Sequence, residues 1–194
     1  MNKRILLGGI LAGVTYFVWG ALSHMALGLG EVGIRSIPNE TVVMAPMREN
    51  IRQAGFYFFP GMEQAAGASD EQKKASTRQW EEKIRQGPWG VLIYHPTGAE
   101  PISLTQLGGE LASNIAMAVI AAFLLARVFA GVSGLLARAG MTALLGAISS
   151  LDVHFSYWNW YGFPASFSLA AATDALVGWF LAGLVLAWRI KPGS

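Results

Sequence analysis

Four long apolar stretches, separated by polar segments, dominate the hydropathy pattern of this sequence. They cover residues 5–30, 111–126, 141–157 and 165–188. Because a helix needs about 20 mostly apolar residues to cross a bilayer, each stretch predicts a transmembrane helix. The first stretch has 26 residues, more than the roughly 7–15 of a signal-peptide core, so we expect it to be retained. The pattern predicts an all-α membrane protein in which four transmembrane helices form a bundle.

Capping signals predict where two helices start. Ser69 and Gln72, and likewise Ser103 and Gln106, have the S-x-x-Q spacing of a capping box. The first pair predicts a soluble helix that ends before Gly87. The second pair extends the second transmembrane helix beyond its apolar stretch.

The polar segment 31–110 predicts a small α+β domain inserted between the first and second transmembrane helices. Its apolar runs 56–59 and 91–94 are bounded by glycine or proline and predict two strands that pair. A further helix is expected after Asn39, with Pro46 kinking or ending it. The predicted boundaries are 1–30 for the first span, 31–110 for the inserted domain, and 111–194 for three spans that form one membrane domain with the first.

The distribution of charge predicts the orientation in the membrane. Residues 31–110 hold ten acidic and eight basic residues, and six bases without an acid lie at the opposite ends of the spans: Lys3, Arg4, Arg127, Arg138, Arg189 and Lys191. Short cytoplasmic segments are rich in lysine and arginine, whereas loops beyond roughly 60 residues translocate regardless of charge. We therefore expect a multi-pass protein of the cell's inner (plasma) membrane, with both termini cytoplasmic and the inserted domain extracytoplasmic.

Composition excludes several kinds of chemistry. The chain has no cysteine, which excludes thiolate-held iron–sulfur clusters, cysteine zinc sites and disulfide exchange. Its bases do not cluster on one soluble face, so nucleic acid is not an expected partner. The sequence contains no convincing nucleotide-binding, metalloprotease or serine-hydrolase motif. Enzymatic activity therefore has no support in the sequence.

Ionisable residues inside the predicted spans are the candidate functional groups, because such residues are costly in a membrane and often mark a site. His24 and His154 are each about six residues from the outer end of a span, and the two rings could bind haem iron or share a metal. The alternative is a hydrogen bond between helices. Asp174 is expected deeper, as a proton or ion site or as a structural hydrogen bond.

Asp152 is a second candidate proton or ion group. It is two residues from His154, about 200° around a helix, which places the two side chains on opposite faces. Ser149, Asp152 and Ser156 then form a separate polar stripe. We expect that stripe to meet another helix of the bundle, a second subunit or a polar cavity.

Small residues recur along one face of every predicted span. In lipid, such stripes let helices approach closely, which predicts a tight bundle. The stripes are Gly9, Gly13, Gly20 and Gly28; Ala118, Ala122 and Ala126; Ala143, Gly146, Ala147 and Ser150; and Ala171, Gly178 and Ala182.

Two classes of function fit these observations. The first is a non-catalytic accessory or scaffolding subunit, embedded in the lipid bilayer and packed against other membrane subunits or a second copy; it needs no cofactor. The alternative is a redox or proton-handling protein that uses His24, His154 and Asp174, with haem or a metal as the conceivable cofactor. A small transporter is a weaker alternative, because the sequence has no internal repeat.

Overall fold

The computed structural model describes residues 2–63, 65–128 and 131–191. The chain divides into two compact units, Met1–Ile34 with Glu100–Ser194, and Arg35–Ala99. The elements in chain order are α1 (Lys3–Met25), α2 (Glu40–Asn50), β1 (Gly55–Phe59), α3 (Asp70–Gln86), β2 (Gly90–Tyr94), α4 (Leu104–Arg127), α5 (Leu135–Ser149), α6 (Phe155–Tyr161) and α7 (Ala165–Arg189).

Four helical stretches are long and apolar enough to cross a membrane, which is typical of a multi-pass membrane protein. They are Lys3–Met25, Leu104–Arg127, Leu135–Tyr161 and Ala165–Arg189. The four predicted apolar helices are thus confirmed. Ser103 and Gln106 form the predicted capping box at the start of α4, and Ser69 with Gln72 forms the one at the start of α3.

The first helix is shorter than predicted. It ends at Met25, not near residue 30, because Gly28 adopts a left-handed conformation (φ 69°) and a 3₁₀ turn follows over Leu29–Glu31. Glycine is both a poor helix former and the residue that takes this conformation without strain. The chain then runs beside the start of α7, where an added Cβ on Gly33 would lie 2.8 Å from the Cβ of Phe167.

The third span is longer than predicted and irregular. It begins at Leu135 and ends at Tyr161, and a π turn over Ser150–His154 joins α5 to α6. The N–H of Phe155 donates to the carbonyl oxygen of Ser150, five residues earlier. Such a turn inserts one extra residue into the helix and is often found at functional sites.

Glycines set the closest helix contacts. On α1, an added Cβ would lie 2.6 Å from the Val119 Cα at Gly9 and 2.5 Å from the Ile115 Cα at Gly13, so α1 packs directly on α4. At Gly146 of α5, it would lie 2.7 Å from a main-chain oxygen of α7. The predicted contact at Gly20 is wrong, because nothing lies within 4 Å of a Cβ there.

A packed core fills one end of the bundle, the end that holds both chain termini. It contains Ile5, Ala12, Ala118, Ala121, Ala122, Leu125, Trp179, Ala182, Leu186 and Ile190. Arg138 is fully buried at the same end. Its guanidinium donates to the main-chain oxygens of Val132 at 3.1 Å and Ile190 at 3.0 Å, so it ties the start of α5 to the end of α7.

The unit Arg35–Ala99 contains the predicted pair of strands. β1 and β2 are antiparallel, with Phe56 opposite Ile93. The Trp80 indole of α3 donates to the main-chain oxygen of Pro60 at 2.9 Å.

The predicted helix after Asn39 is present, but Pro46 does not end it. The helix continues to Asn50, where the side chain of Asn50 donates to the Pro46 oxygen at 2.8 Å and the N–H of Ile51 donates to the Met47 oxygen at 2.8 Å.

Candidate functional site

A pair of ionisable side chains joins the first and last spans. The Nε2 atom of His24 lies 3.2 Å from the Oδ2 atom of Asp174. His24 belongs to the last turn of α1, and its side chain is 59% exposed, whereas that of Asp174 is 19% exposed. The pair therefore connects an accessible imidazole with a largely buried carboxylate.

Asp174 lies well inside the last span. It lies nine residues after the first residue of α7, Ala165, or about 13 Å along the helix at 1.5 Å per residue. Its carboxylate contacts His24 near the end of α1. The depth of Asp174 in the membrane stays a prediction.

Two aromatic side chains of α1 position Asp174. The Trp19 indole donates to the main-chain oxygen of Asp174 at 3.1 Å. One turn further along α7, an added Cβ at Gly178 would lie 2.9 Å from the rings of both Trp19 and Tyr16. The glycine therefore lets the two rings lie against α7 and keeps Asp174 opposite His24.

His154 completes the predicted set of three. A cavity of about 260 Å³, here called the histidine cavity, is lined by His24, His154 and Asp174, together with Tyr16 and Gly30. The structure therefore brings His24, His154 and Asp174 around one space. His24 is held on one side by the turn after α1, where an added Cβ on Gly30 would lie 3.0 Å from the imidazole Cγ.

A second cavity of about 490 Å³, here called the glutamate cavity, shares Tyr16, His24 and Asp174 with the first and extends toward α4. Glu110 and Asn114 of α4 line it. Gly20 also lines it, which explains why that glycine has no close neighbour. The His24–Asp174 pair therefore borders two spaces.

Several polar atoms around these spaces are buried without a hydrogen-bond partner among the described residues. They are Oδ1 of Asp174, Oδ1 of Asn114 and Nδ1 of His154. Buried polar atoms in folded proteins nearly always have a partner. These three atoms therefore leave hydrogen-bonding capacity unused next to the cavities.

Asp152 is not part of this arrangement. Its residue is exposed, whereas His154 is half-buried, and Asp152 lines neither the histidine cavity nor the glutamate cavity. Asp152 and His154 thus differ in exposure, which agrees with the predicted positions on opposite faces of the helix. The backbone between them is a π turn.

The part of the chain that the structure describes was compared with the ligand sets of metal sites that use three or more side chains. Within 2–63, 65–128 and 131–191, no group of three or more histidine, cysteine or acidic side chains is arranged to hold a metal ion. Haem or a metal shared by His24 and His154 alone therefore stays a prediction.

Two residues of the site, Tyr16 and Glu110, were not among the predicted site residues, although the sequence contains a signal for each. Tyr16, Gly20 and His24 follow one another at four-residue spacing, which places them on one face of α1. Glu110 is four residues before Asn114, but we counted it with the inserted domain instead of with α4.

The arrangement can bind and exchange a proton, since it combines an imidazole, a carboxylate and adjoining space. Comparison with protein-family models, curated proteins and solved structures finds no match to this chain. The contact between His24 and Asp174 is therefore the observation from which a function can be inferred.

Proposed function

We propose that this multi-pass membrane protein handles protons at an intramembrane site formed by His24 and Asp174. The observation that carries the proposal is the 3.2 Å contact between Nε2 and Oδ2 at the border of two cavities. Ionisable groups at membrane depth that face the bundle interior and pair with each other commonly mark proton relays.

The two partners suit successive roles. His24 is the more exposed group, and histidine is the side chain whose charge ordinarily changes near neutral pH. Asp174 is the more buried group, and its second oxygen has no partner among the described residues. In this proposal His24 takes up a proton from the accessible side and exchanges it with Asp174.

Access to the site is from one side. The end of the bundle that holds the termini is filled by Ala12, Ala122 and Leu186, each fully buried. This packing supports access of the proton from the opposite side of the bundle. We therefore propose that the pair stores or senses a proton and does not conduct it across the membrane.

The proposed orientation keeps both termini in the cytoplasm of an inner-membrane protein and residues 31–110 outside. Arg4, Arg189 and Lys191 line one small space together with Trp188, which supports a common membrane side for these bases. Lysine and arginine are typical of the cytoplasmic side, and tryptophan is typical of either membrane interface. His24 then faces the outer half of the membrane.

Infrared difference spectroscopy between acid and neutral pH tests the proposal on the full chain in lipid nanodiscs. We expect a carboxylic-acid band that Asp174→Asn removes and His24→Gln shifts. Asp152→Asn, at an exposed position on another helix, is the matched control. A spectrum that Asp174→Asn leaves unchanged would contradict proton exchange at this pair.

A second candidate function, an accessory subunit of a membrane assembly, is supported by the surroundings of Asp152. This exposed residue lies among apolar side chains with large exposed fractions: Ile148 64%, Leu151 68% and Phe155 51%. A carboxylate that faces lipid is costly, and a neighbouring membrane helix would remove that cost. Native mass spectrometry from mild detergent tests this: we expect an assembly that Asp152→Leu weakens, and a monomer for the unaltered chain would contradict it.

A further inference from the structure

Three basic side chains meet around one small space at the end of the bundle that holds both chain termini. The space has a volume of about 300 Å³ and is lined by Arg4, Arg189 and Lys191 together with Trp188. Within the described part of the chain, no acidic residue lines this space and none of the three bases forms an ion pair. The lining therefore carries three positive charges at neutral pH.

Close packing between α1 and α7 brings the two arginines together. An added Cβ on Gly8 would lie 3.4 Å from the Cγ atom of Arg189, so the stem of this arginine lies against α1. Arg4 is four residues before Gly8, about one turn, and is therefore on the same face of α1. Because the glycine has no side chain, arginines from two different helices can reach one space.

The end of α7 positions the third base. Ile190 is fully buried, and its main-chain oxygen accepts a hydrogen bond of 3.0 Å from the Arg138 guanidinium. Its backbone is extended, so the helix stops there. Arg189 and Lys191 are the two neighbours of this buried residue in the chain, and their backbone is therefore held at the border of the space.

The charge of the lining favours an anion as the occupant. Like charges that line one small space repel each other, and an anion between them removes that repulsion. Arginine and lysine are also the side chains that bind phosphate groups in proteins. The volume of about 300 Å³ is at the lower end of the range found for small-ligand sites, which is sufficient for a phosphate group with its glycerol.

The position of the space narrows the anion to a lipid headgroup. Helix α1 begins at Lys3 and α7 ends at Arg189, so the space lies where two candidate membrane spans end. Trp188 is 64% exposed there, and tryptophan rings favour the headgroup level of a bilayer. Basic pockets between transmembrane helices bind anionic headgroups, because such headgroups lie at the same level as the bases.

We propose that this space binds the phosphate group of an anionic phospholipid, held by Arg4, Arg189 and Lys191, with Trp188 against the glycerol. A zwitterionic lipid has the same phosphate but also a cationic headgroup, which three positive charges repel. The site should therefore select phosphatidylglycerol over phosphatidylcholine. It is separate from the proposed proton site and does not depend on it.

Native mass spectrometry of the full chain in mild detergent tests the proposal. Phosphatidylglycerol and phosphatidylcholine with the same acyl chains are offered at equal concentration, and we expect more of the first to stay bound. Arg189→Gln and Lys191→Gln should each lower that preference roughly fivefold, the usual effect of one base near an anionic membrane. Arg189→Lys keeps the charge and should retain most of the preference.

Arg127→Gln is the matched control, because Arg127 is an exposed base in the last turn of α4 that does not line this space. It should leave the preference unchanged. An equal loss in Arg127→Gln and Arg189→Gln, or equal binding of the two lipids, would show a response to overall charge at most and would overturn the proposal. Inorganic phosphate at millimolar concentration should not displace the lipid; displacement would assign the space to a soluble anion and overturn the lipid site.

Discussion

Trp19 and Asp174 are joined by a hydrogen bond from the indole Nε1 to the aspartate's main-chain oxygen, 3.1 Å long. The same helix α1 thus fixes the backbone of Asp174 through Trp19 and contacts its carboxylate through His24, five residues later. A shift of α7 by one turn would break both contacts together. The geometry of the pair therefore depends on the packing between α1 and α7, which Gly178 makes close.

The coupling between His24 and Asp174 can be measured by a double-mutant cycle. We expect His24→Gln and Asp174→Asn to show an interaction of about 0.5–1 kcal/mol, because the imidazole is largely exposed and solvent screens it. Unfolding of the full chain in mixed micelles provides the free energies. A second cycle in the Trp19→Phe background should give a smaller interaction energy between His24 and Asp174. An unchanged interaction energy would contradict the positioning role of Trp19.

Two glycines of α1 provide a matched test of close packing. Gly13→Leu should lower the free energy of unfolding by about 1–3 kcal/mol, because the added side chain meets the backbone of α4. Gly20→Leu should have little effect on stability, since it points into the glutamate cavity. Thermal unfolding in detergent compares the stabilities of the two variants. A similar loss of stability in both would contradict the contact between α1 and α4.

Arg138 should be a stabilising residue although it counts among the cytoplasmic positive charges. Arg138→Met should cost roughly 2–4 kcal/mol, because it removes charged donors from two main-chain oxygens. Arg127→Met, at an exposed position in the last turn of α4, is the control and should change stability by less than about 0.5 kcal/mol. Denaturant unfolding of both variants measures the difference.

The proposed orientation can be tested by single cysteines, since the chain has none of its own. Ala75→Cys and Ser133→Cys both replace exposed residues. A membrane-impermeant maleimide added to intact cells should label the first and not the second. Labelling of both positions from the same side would refute the topology.

Much of the fold could be predicted because it depends on local sequence. Apolar stretches of sufficient length predict four helices, Ser103 with Gln106 predicts the start of α4, and the strand pair follows from two short runs between glycines and prolines. The end of α1 could not be predicted from hydropathy, since residues 26–30 are still mainly apolar although the helix ends at Met25, three residues before the left-handed Gly28.

The candidate site was predictable only in part. His24, His154 and Asp174 stand out because they are ionisable groups in apolar helices. The contact between His24 and Asp174 depends on how far α7 extends beyond α1, and the cavities depend on side chains from three helices. Glu110 was missed because its helix begins before its apolar stretch does.

The 3₁₀ turn at Leu29–Glu31 also restricts the rotamers of His24. The Cγ of the imidazole would lie 3.0 Å from a Cβ at residue 30, so only a glycine lets the ring occupy its place beside the turn. Any larger residue at position 30 would therefore act on the imidazole that contacts Asp174, although it lies outside both helices of the pair. The turn after α1 and the ion pair are in this way linked through one side chain, so a substitution at Gly30 is a substitution next to the pair.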